Sequence, residues 1–364
     1  MTITTRKAAL GGLAAVGITA LLAGCGAAPE STSGGASGET DSDLLTCMVS
    51  DSGGFDDKSF NQLGFEGLNK AVDDLGLPAP KPVESAAETD FAPNLTNLAD
   101  QGCGLIVTVG FLLADATKEA AAANPDIEYA IIDDASISAD NVKPITFNTS
   151  EAAFLAGYSA AAYSKTGTVG TFGGLQIPTV TIFMDGFVDG VAYYNEQKGK
   201  DVKDIGWDVA SQSGSFTGEF VANQTAKTAA QTLIDQGADV IMPVGGPIFL
   251  SAGEAIRDSS DKKVVMVGVD SDAYETAPDL KDLFLTSVLK GIDAGVEDVV
   301  KTAADDKFDA TPYVGTLENG GVDIAPFHDY ESEVPSDLSG ELETIKAGII
   351  DGSIAVESPS SLTK

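Results

Sequence analysis

The chain has 364 residues, and its 21 Lys and Arg against 55 Asp and Glu give a formal net charge of −34 at pH 7. So acidic a protein is repelled by phosphate backbones and anionic headgroups, which excludes nucleic acid as a partner and electrostatic adhesion to a membrane. One histidine, three cysteines and no Cys-x-x-Cys pair provide no metal-ligand set, and no cofactor is expected.

Residues 1–24 read as a secretory leader. Arg6 and Lys7 precede an apolar run, Ala8 to Ala23, that glycines interrupt and that is short for a membrane span. Leu21-Leu22-Ala23-Gly24-Cys25 matches the bacterial lipobox. That match implies cleavage before Cys25, lipid attachment to its thiol and a membrane-anchored protein facing outward. The stretch through residue 43 is rich in Gly, Ser and Thr, lacks large apolar residues and reads as a flexible tether.

The body alternates short apolar runs with helical patterns. Strand-like runs are expected at Leu44–Val49, Leu105–Val109, Tyr129–Ile132, Thr168–Phe172, Val240–Val244, Val264–Val269 and Phe284–Val288. Helical spacing appears over Phe60–Leu75, Glu151–Tyr163, Thr217–Gln236 and Gly291–Ala304. This alternation predicts an α/β fold with parallel sheets covered on both faces, and the strand count favours two doubly wound lobes. The lobes are assigned as 44–147 plus 271–312 and 148–270 plus 313–364. Cys47 lies in the first strand and Cys103 just before a neighbouring one, so a disulfide and two buried thiols both remain open readings.

Six strand-like runs end in Gly or Asp clusters, among them Asp51-Ser52-Gly53-Gly54, Asp133-Asp134, Gly245-Gly246 and Gly268-Val269-Asp270. Ligands of open α/β sheets bind outside the carboxyl ends of the strands, so the clusters point to a shared cleft. The loop Asp51 to Gln62 supplies carboxylates, Phe60 and the amides of Asn61 and Gln62. That composition suits a polyhydroxylated, ring-bearing small molecule. Asp51 could instead cap the following helix, a role also open to Asp57 and Ser59, and Phe60 could be the helix's first core residue.

Further motifs occur in a fixed order: Phe60-Asn61-Gln62, Glu151 to Gly157, Gly173-Gly174, Gly186-Phe187 with Gly190, Gly268 to Asp272, and Thr286 to Lys290. Together they resemble the basic membrane protein family, lipoprotein substrate-binding components of ABC transporters similar to the purine nucleoside receptor type. The resemblance covers Leu44 to about Val356. It implies the type I periplasmic-binding-protein fold, two lobes joined by a hinge, with the protein acting as a monomer that captures a nucleoside and delivers it to a membrane permease. It also implies that Asp51, Asp133, Asp270 and Lys290 hold the ribose and that Phe60 stacks on the base, with Asn61 and Gly245 beside the ligand. Asp134 is an alternative to Asp133. Phe183, Trp207 and Phe249 are candidates for a second stacking face. The chain departs from the family pattern at Ala273, where members often carry Gln.

No catalytic group is expected. There is no Gly-x-Gly-x-x-Gly or Gly-x-Ser-x-Gly motif, and the single histidine, His328, reads as structural. A hydrolase using Asp56 and Asp57, a tethered sensor and a sugar receptor are the competing readings.

Overall fold

The computed structural model describes residues 42–259 and 263–362. The expected leader, the lipidation site Cys25 and all but the end of the tether lie outside them. In chain order the first part runs β1 (Thr46–Val49), α1 (Phe60–Leu75), β2 (Lys81–Val83), α2 (Phe91–Asp100), β3 (Leu105–Val109), α3 (Ala114–Ala123), β4 (Glu128–Ile132), β5 (Val142–Phe147) and α4 (Thr149–Tyr163). There follow β6 (Thr168–Gly173), α5 (Pro178–Lys198), β7 (Lys203–Ile205), the ribbon strands β8 (Trp207–Asp208) and β9 (Ser213–Gly214), and α6 (Gln224–Asp235). Then come β10 (Val240–Val244), α7 (Ile248–Asp258), β11 (Val265–Asp270), α8 (Ala273–Thr276) and β12 (Phe284–Lys290). The last part holds α9 (Ile292–Ala304), β13 (Tyr313–Gly315), β14 (Val322–Ile324) and α10 (Leu338–Ile350).

Two six-stranded sheets result, ordered β2-β1-β3-β4-β5-β13 in lobe 1 and β7-β6-β10-β11-β12-β14 in lobe 2. Every pairing within them is parallel except β12 with β14. Alternate residues of each strand serve opposite faces. Met48, Val107 and Ile132 pack with Leu68 of α1 and Val296 of α9, whereas Cys47, Ile106 and Ile131 pack with Leu95 and Leu98 of α2. In lobe 2, Val240 and Met242 join the cluster containing Phe154 and Phe187, while Ile241 and Met266 join Leu233 and Ile256.

Two sequence motifs are explained by packing. A Cβ on Gly157 of α4 would lie 2.0 Å from the Phe187 carbonyl oxygen, and one on Gly190 of α5 would lie 2.0 Å from that of Phe154. Glycine lets α4 and α5 touch backbone to backbone.

The chain crosses between lobes after β5, after β12 and after β13. Asn148 N donates to Gly315 O at 2.8 Å and Gly291 N to Gly321 O at 2.9 Å, so the crossings lie side by side. The Glu151 carboxylate accepts from Asn148 Nδ2 (3.1 Å) and Leu317 N (2.8 Å), tying the first crossing to the third. The expected lobe boundaries are corrected here. Residues 284–290 pair with β11 and β14 and so belong to lobe 2, not to the 271–312 segment assigned to lobe 1. Conversely β13, within 313–364, pairs with β5 and completes the sheet of lobe 1. The helix expected over Thr217–Gln236 begins only at Gln224, where Asn223 Oδ1 accepts from Thr225 N and Ala226 N as its cap.

Candidate functional site

Both sheets share the strand order 2-1-3-4-5, which puts the topological switch point between β1 and β3 in one lobe and between β6 and β10 in the other. The carboxyl ends of these strands face one another across a cleft of about 530 Å³, its open mouth included. Asp51, Asn61, Phe60, Asp57, Gly110 and Asp133 line it from lobe 1; Phe183, Val180, Phe220, Gly245, Asp270 and Lys290 line it from lobe 2.

Asp51 follows β1 and is buried. A Cβ at Gly110 would lie 2.4 Å from its Oδ2, and Gly110 has φ 110°, so glycine is required on two counts. Asn61 Nδ2 donates to Asp51 Oδ1 (2.9 Å) and Asp57 Oδ2 (3.1 Å). With its amide nitrogen held by carboxylates, Asn61 keeps Oδ1 as a buried acceptor without a protein partner. Asp57 is the helix cap the sequence left open among three candidates. Its Oδ1 accepts from Ser59 N (3.0 Å) and Gln62 N (3.1 Å) and its Oδ2 from Asn61 N (2.9 Å), which complements the positive end of α1.

Asp133 and Asp270 occupy equivalent places, the ends of the fourth strands β4 and β11, and both have left-handed backbones, φ 66° and 67°. Such strain in a non-glycine residue costs about 1–3 kcal/mol and gathers at functional sites. Lys290, the last residue of β12, bridges them. Its Nζ is 2.5 Å from Asp133 Oδ2 and 3.9 Å from Asp270 Oδ1. The ammonium also sits 4.9 Å from the ring centre of Phe60, 5.4 Å from that of Phe147 and 5.6 Å from that of Phe183.

Four carboxylates thus share the cleft with one cation. Burial pushes the Asp51 carboxyl up to about 8; the Asn61 hydrogen bond opposes this, and the charges of Asp57, Asp133 and Asp270 add to it. Burial raises Asp270 to about 6 against the pull of Lys290, and raises Asp133 against the same pull. Such a wall gains most from a partner that brings hydrogen-bond donors.

Of the residues singled out in sequence, Asp51, Phe60, Asn61, Asp133, Phe183, Gly245, Asp270 and Lys290 all line the cleft. Asp134 does not; its Oδ2 accepts from Ser136 N and Oγ, both at 2.9 Å. Trp207 is buried against Phe216 with Nε1 donating to Asp185, and Phe249 packs on Phe284 in the core. His328 stacks on Tyr274 and pairs with Asp272. Cys47 and Cys103 form a disulfide, Cα–Cα 6.0 Å. Sequence reasoning missed Asp57 as a lining group, and also Ile177, Thr179, Val180 and Phe220. Among the described residues there is no metal-binding cluster, and no helix is long and apolar enough to cross a membrane.

A family model described as ABC transporter substrate-binding protein PnrA-like matches residues 44–354. The ABC transporter nucleoside-binding protein BmpA of Lactococcus lactis is 32% identical over 94% of this chain and 97% of its own. The CD4+ T-cell-stimulating antigen of Listeria monocytogenes is 30% identical over 86% and 88%. A solved ABC transporter solute-binding protein from Aeropyrum pernix superposes with a TM-score of 0.78 at 25% identity, covering 87% of this chain and 94% of that one. The two-lobed architecture is therefore that of periplasmic binding proteins, and the Lactococcus and Aeropyrum relatives are named as binding proteins, not as enzymes.

Proposed function

Because the chain belongs to the PnrA-like family of ABC transporter substrate-binding proteins, working outside the cytoplasm, we propose that it captures a nucleoside, preferably a purine nucleoside, between its lobes and hands it to a membrane permease. In this reading the protein is a monomer held to the membrane by lipid on Cys25. The observation that carries the ligand assignment is the convergence of Phe60 and Phe183, from opposite lobes, beside four buried carboxylates and Lys290. An aromatic ring stacks on a base for about 1–3 kcal/mol. The ribose hydroxyls donate to Asp133 and Asp270 and accept from Lys290, charged hydrogen bonds that contribute about 1.5–3 kcal/mol each, while Asp51, raised to about 8 by burial, adds a hydrogen bond as a neutral acid at pH 7. Micromolar affinity needs only about −8 kcal/mol in total, within reach once closure costs are deducted.

Isothermal titration of the refolded, ligand-free protein with adenosine, guanosine, inosine, cytidine, uridine and ribose tests this reading. Purine nucleosides are expected to bind at micromolar or tighter affinity with ribose silent, and Asp51→Ala to weaken binding at least about tenfold. Silence toward every nucleoside sinks the ligand assignment.

A further inference from the structure

Beyond the ligand-lining groups, the turn before α1 in lobe 1 meets the segment after β11 in lobe 2 through hydroxyls. The Lys58 carbonyl accepts from Ser271 Oγ and from Thr276 Oγ1, both at 2.9 Å. The two hydroxyls are 3.1 Å apart. Ser59 Oγ reaches the other way, 2.9 Å from Asp270 Oδ2 and 3.1 Å from the Val269 carbonyl. Ser59 and Ser271 are buried. These contacts therefore gather on two adjacent residues of one lobe.

Three features set this cluster apart from ordinary packing. Lys58 has φ 63°, a left-handed backbone unfavourable for lysine. Its side chain is spent on exposed Asp56, so only the carbonyl faces lobe 2's hydroxyls. Both lone pairs of that carbonyl are used by groups that the fold of lobe 1 does not contain. Finally, the turn runs directly into Phe60 and Asn61, and the opposing segment follows directly from Asp270, all of which line the cleft. When the lobes part, these bonds are lost together, so their free energy counts only in the closed state and biases the open–closed equilibrium.

We propose that the Lys58 carbonyl with Ser59, Ser271 and Thr276 forms an interlobe latch that holds the cleft shut and sets the residence time of the bound ligand. The latch acts through positioning, since neither the Lys58 carbonyl nor the three hydroxyls need touch the ligand. It rests on the reading of the cleft as the ligand site.

The test uses the full chain, with adenosine as probe, in wild type, Ser271→Ala/Thr276→Ala and Thr276→Ser. Stopped-flow dissociation is expected to quicken roughly tenfold in the double variant, about 1.4 kcal/mol, with the association rate little changed and Thr276→Ser close to wild type. Hydrogen exchange on the ligand-free chain is expected to quicken at residues 57–62 and 269–276. Unchanged dissociation and exchange overturn the latch. So does a ligand-free loss of thermal stability as large as the loss of affinity, because the hydroxyls would then serve the fold of lobe 2. If wild type ignores adenosine, the nucleoside reading falls, while the exchange measurement still decides the latch.

Discussion

The two lobes share one topology and fasten it differently. In lobe 1 the disulfide Cys47–Cys103 ties β1 to the turn before β3. At the matching place in lobe 2, Asp239 at the foot of β10 accepts from Ser164 Oγ (2.6 Å), Lys165 N (2.6 Å) and Thr166 N (2.9 Å), just before β6. Both clamps sit at the amino ends of the two strands that flank the switch point. The strands themselves stay paired to their carboxyl ends, Val49 with Thr108 and Gly173 with Val244, and it is the connections leaving those ends that diverge and open the crevice; the feet are fastened by covalent means in one lobe and polar means in the other. The rims diverge as well. Lobe 1 brings Asp51, Asp57, Asp133 and Asn61, whereas lobe 2 brings Val180, Phe183, Phe220 and bare backbone at Gly245, with only Asp270 and Lys290 charged. One lobe grips through polar groups and the other covers.

The strongest way to separate the two fasteners is Cys47→Ala/Cys103→Ala. Removing a disulfide across 56 residues is expected to cost about 2–4 kcal/mol. Trp207 lies in lobe 2 and is the chain's single tryptophan, so its fluorescence reports that lobe. Lobe 1 should then unfold first, with far-UV circular dichroism falling before the Trp207 signal; coincident transitions would show that the clamp serves both lobes equally.

Asp239→Ala leaves three donors without their acceptor and is expected to cost about 2 kcal/mol in chemical denaturation. A loss under about 0.5 kcal/mol would break the equivalence of the two clamps. At the rims, Phe60→Leu and Phe183→Leu keep apolar bulk and remove a stacking face, and each is expected to weaken nucleoside binding about tenfold. If only one does, the base rests on that lobe alone.

A further prediction concerns pH. Asp51 rises from 3.8 in the unfolded chain to about 8 in the fold, so the folded protein binds a proton that the unfolded chain releases between those values. Its contribution to stability is therefore full at low pH and is lost as pH rises through the folded value, with Asp270 adding to the decline up to about 6. Asp51→Asn should lose less melting temperature than wild type between pH 6 and pH 8. Parallel slopes for the two proteins would show that Asp51 carries no such proton.

Much of this was legible in the sequence. The strands Leu105–Val109 and Val240–Val244 coincide with the expected spans because each is an apolar run bounded by Gly or Asp, and the helix Phe60–Leu75 does because its apolar residues recur at helical spacing between Ser59 and Gly76. Asp51, Asp270 and Lys290 stood out as charges ending apolar strands. The choice between Asp133 and Asp134 was not legible, since it is made by the left-handed turn at Asp133. Nor was α5, which supplies Thr179, Val180 and Phe183. It is buried from Val180 through Phe187, so it shows little amphipathic period. Lobe membership was misjudged at β12 because parallel strands of two buried sheets look alike; only pairing assigns them.

The triple crossing has a consequence for the order of folding. Lobe 1 is not one stretch of chain: α9 and β13 reach it only after residues 148–290 have gone to build the other lobe. As the chain emerges outside the cytoplasm, where a disulfide can form, its first five strands wait with the face that packs on Val296 and Val299 uncovered until α9, ending at Ala304, has followed them. Cys47 and Cys103 are both present long before that point. The bond between them can hold the central strands in register through this interval, a service that Asp239, whose lobe is nearly complete when β12 arrives, does not have to provide.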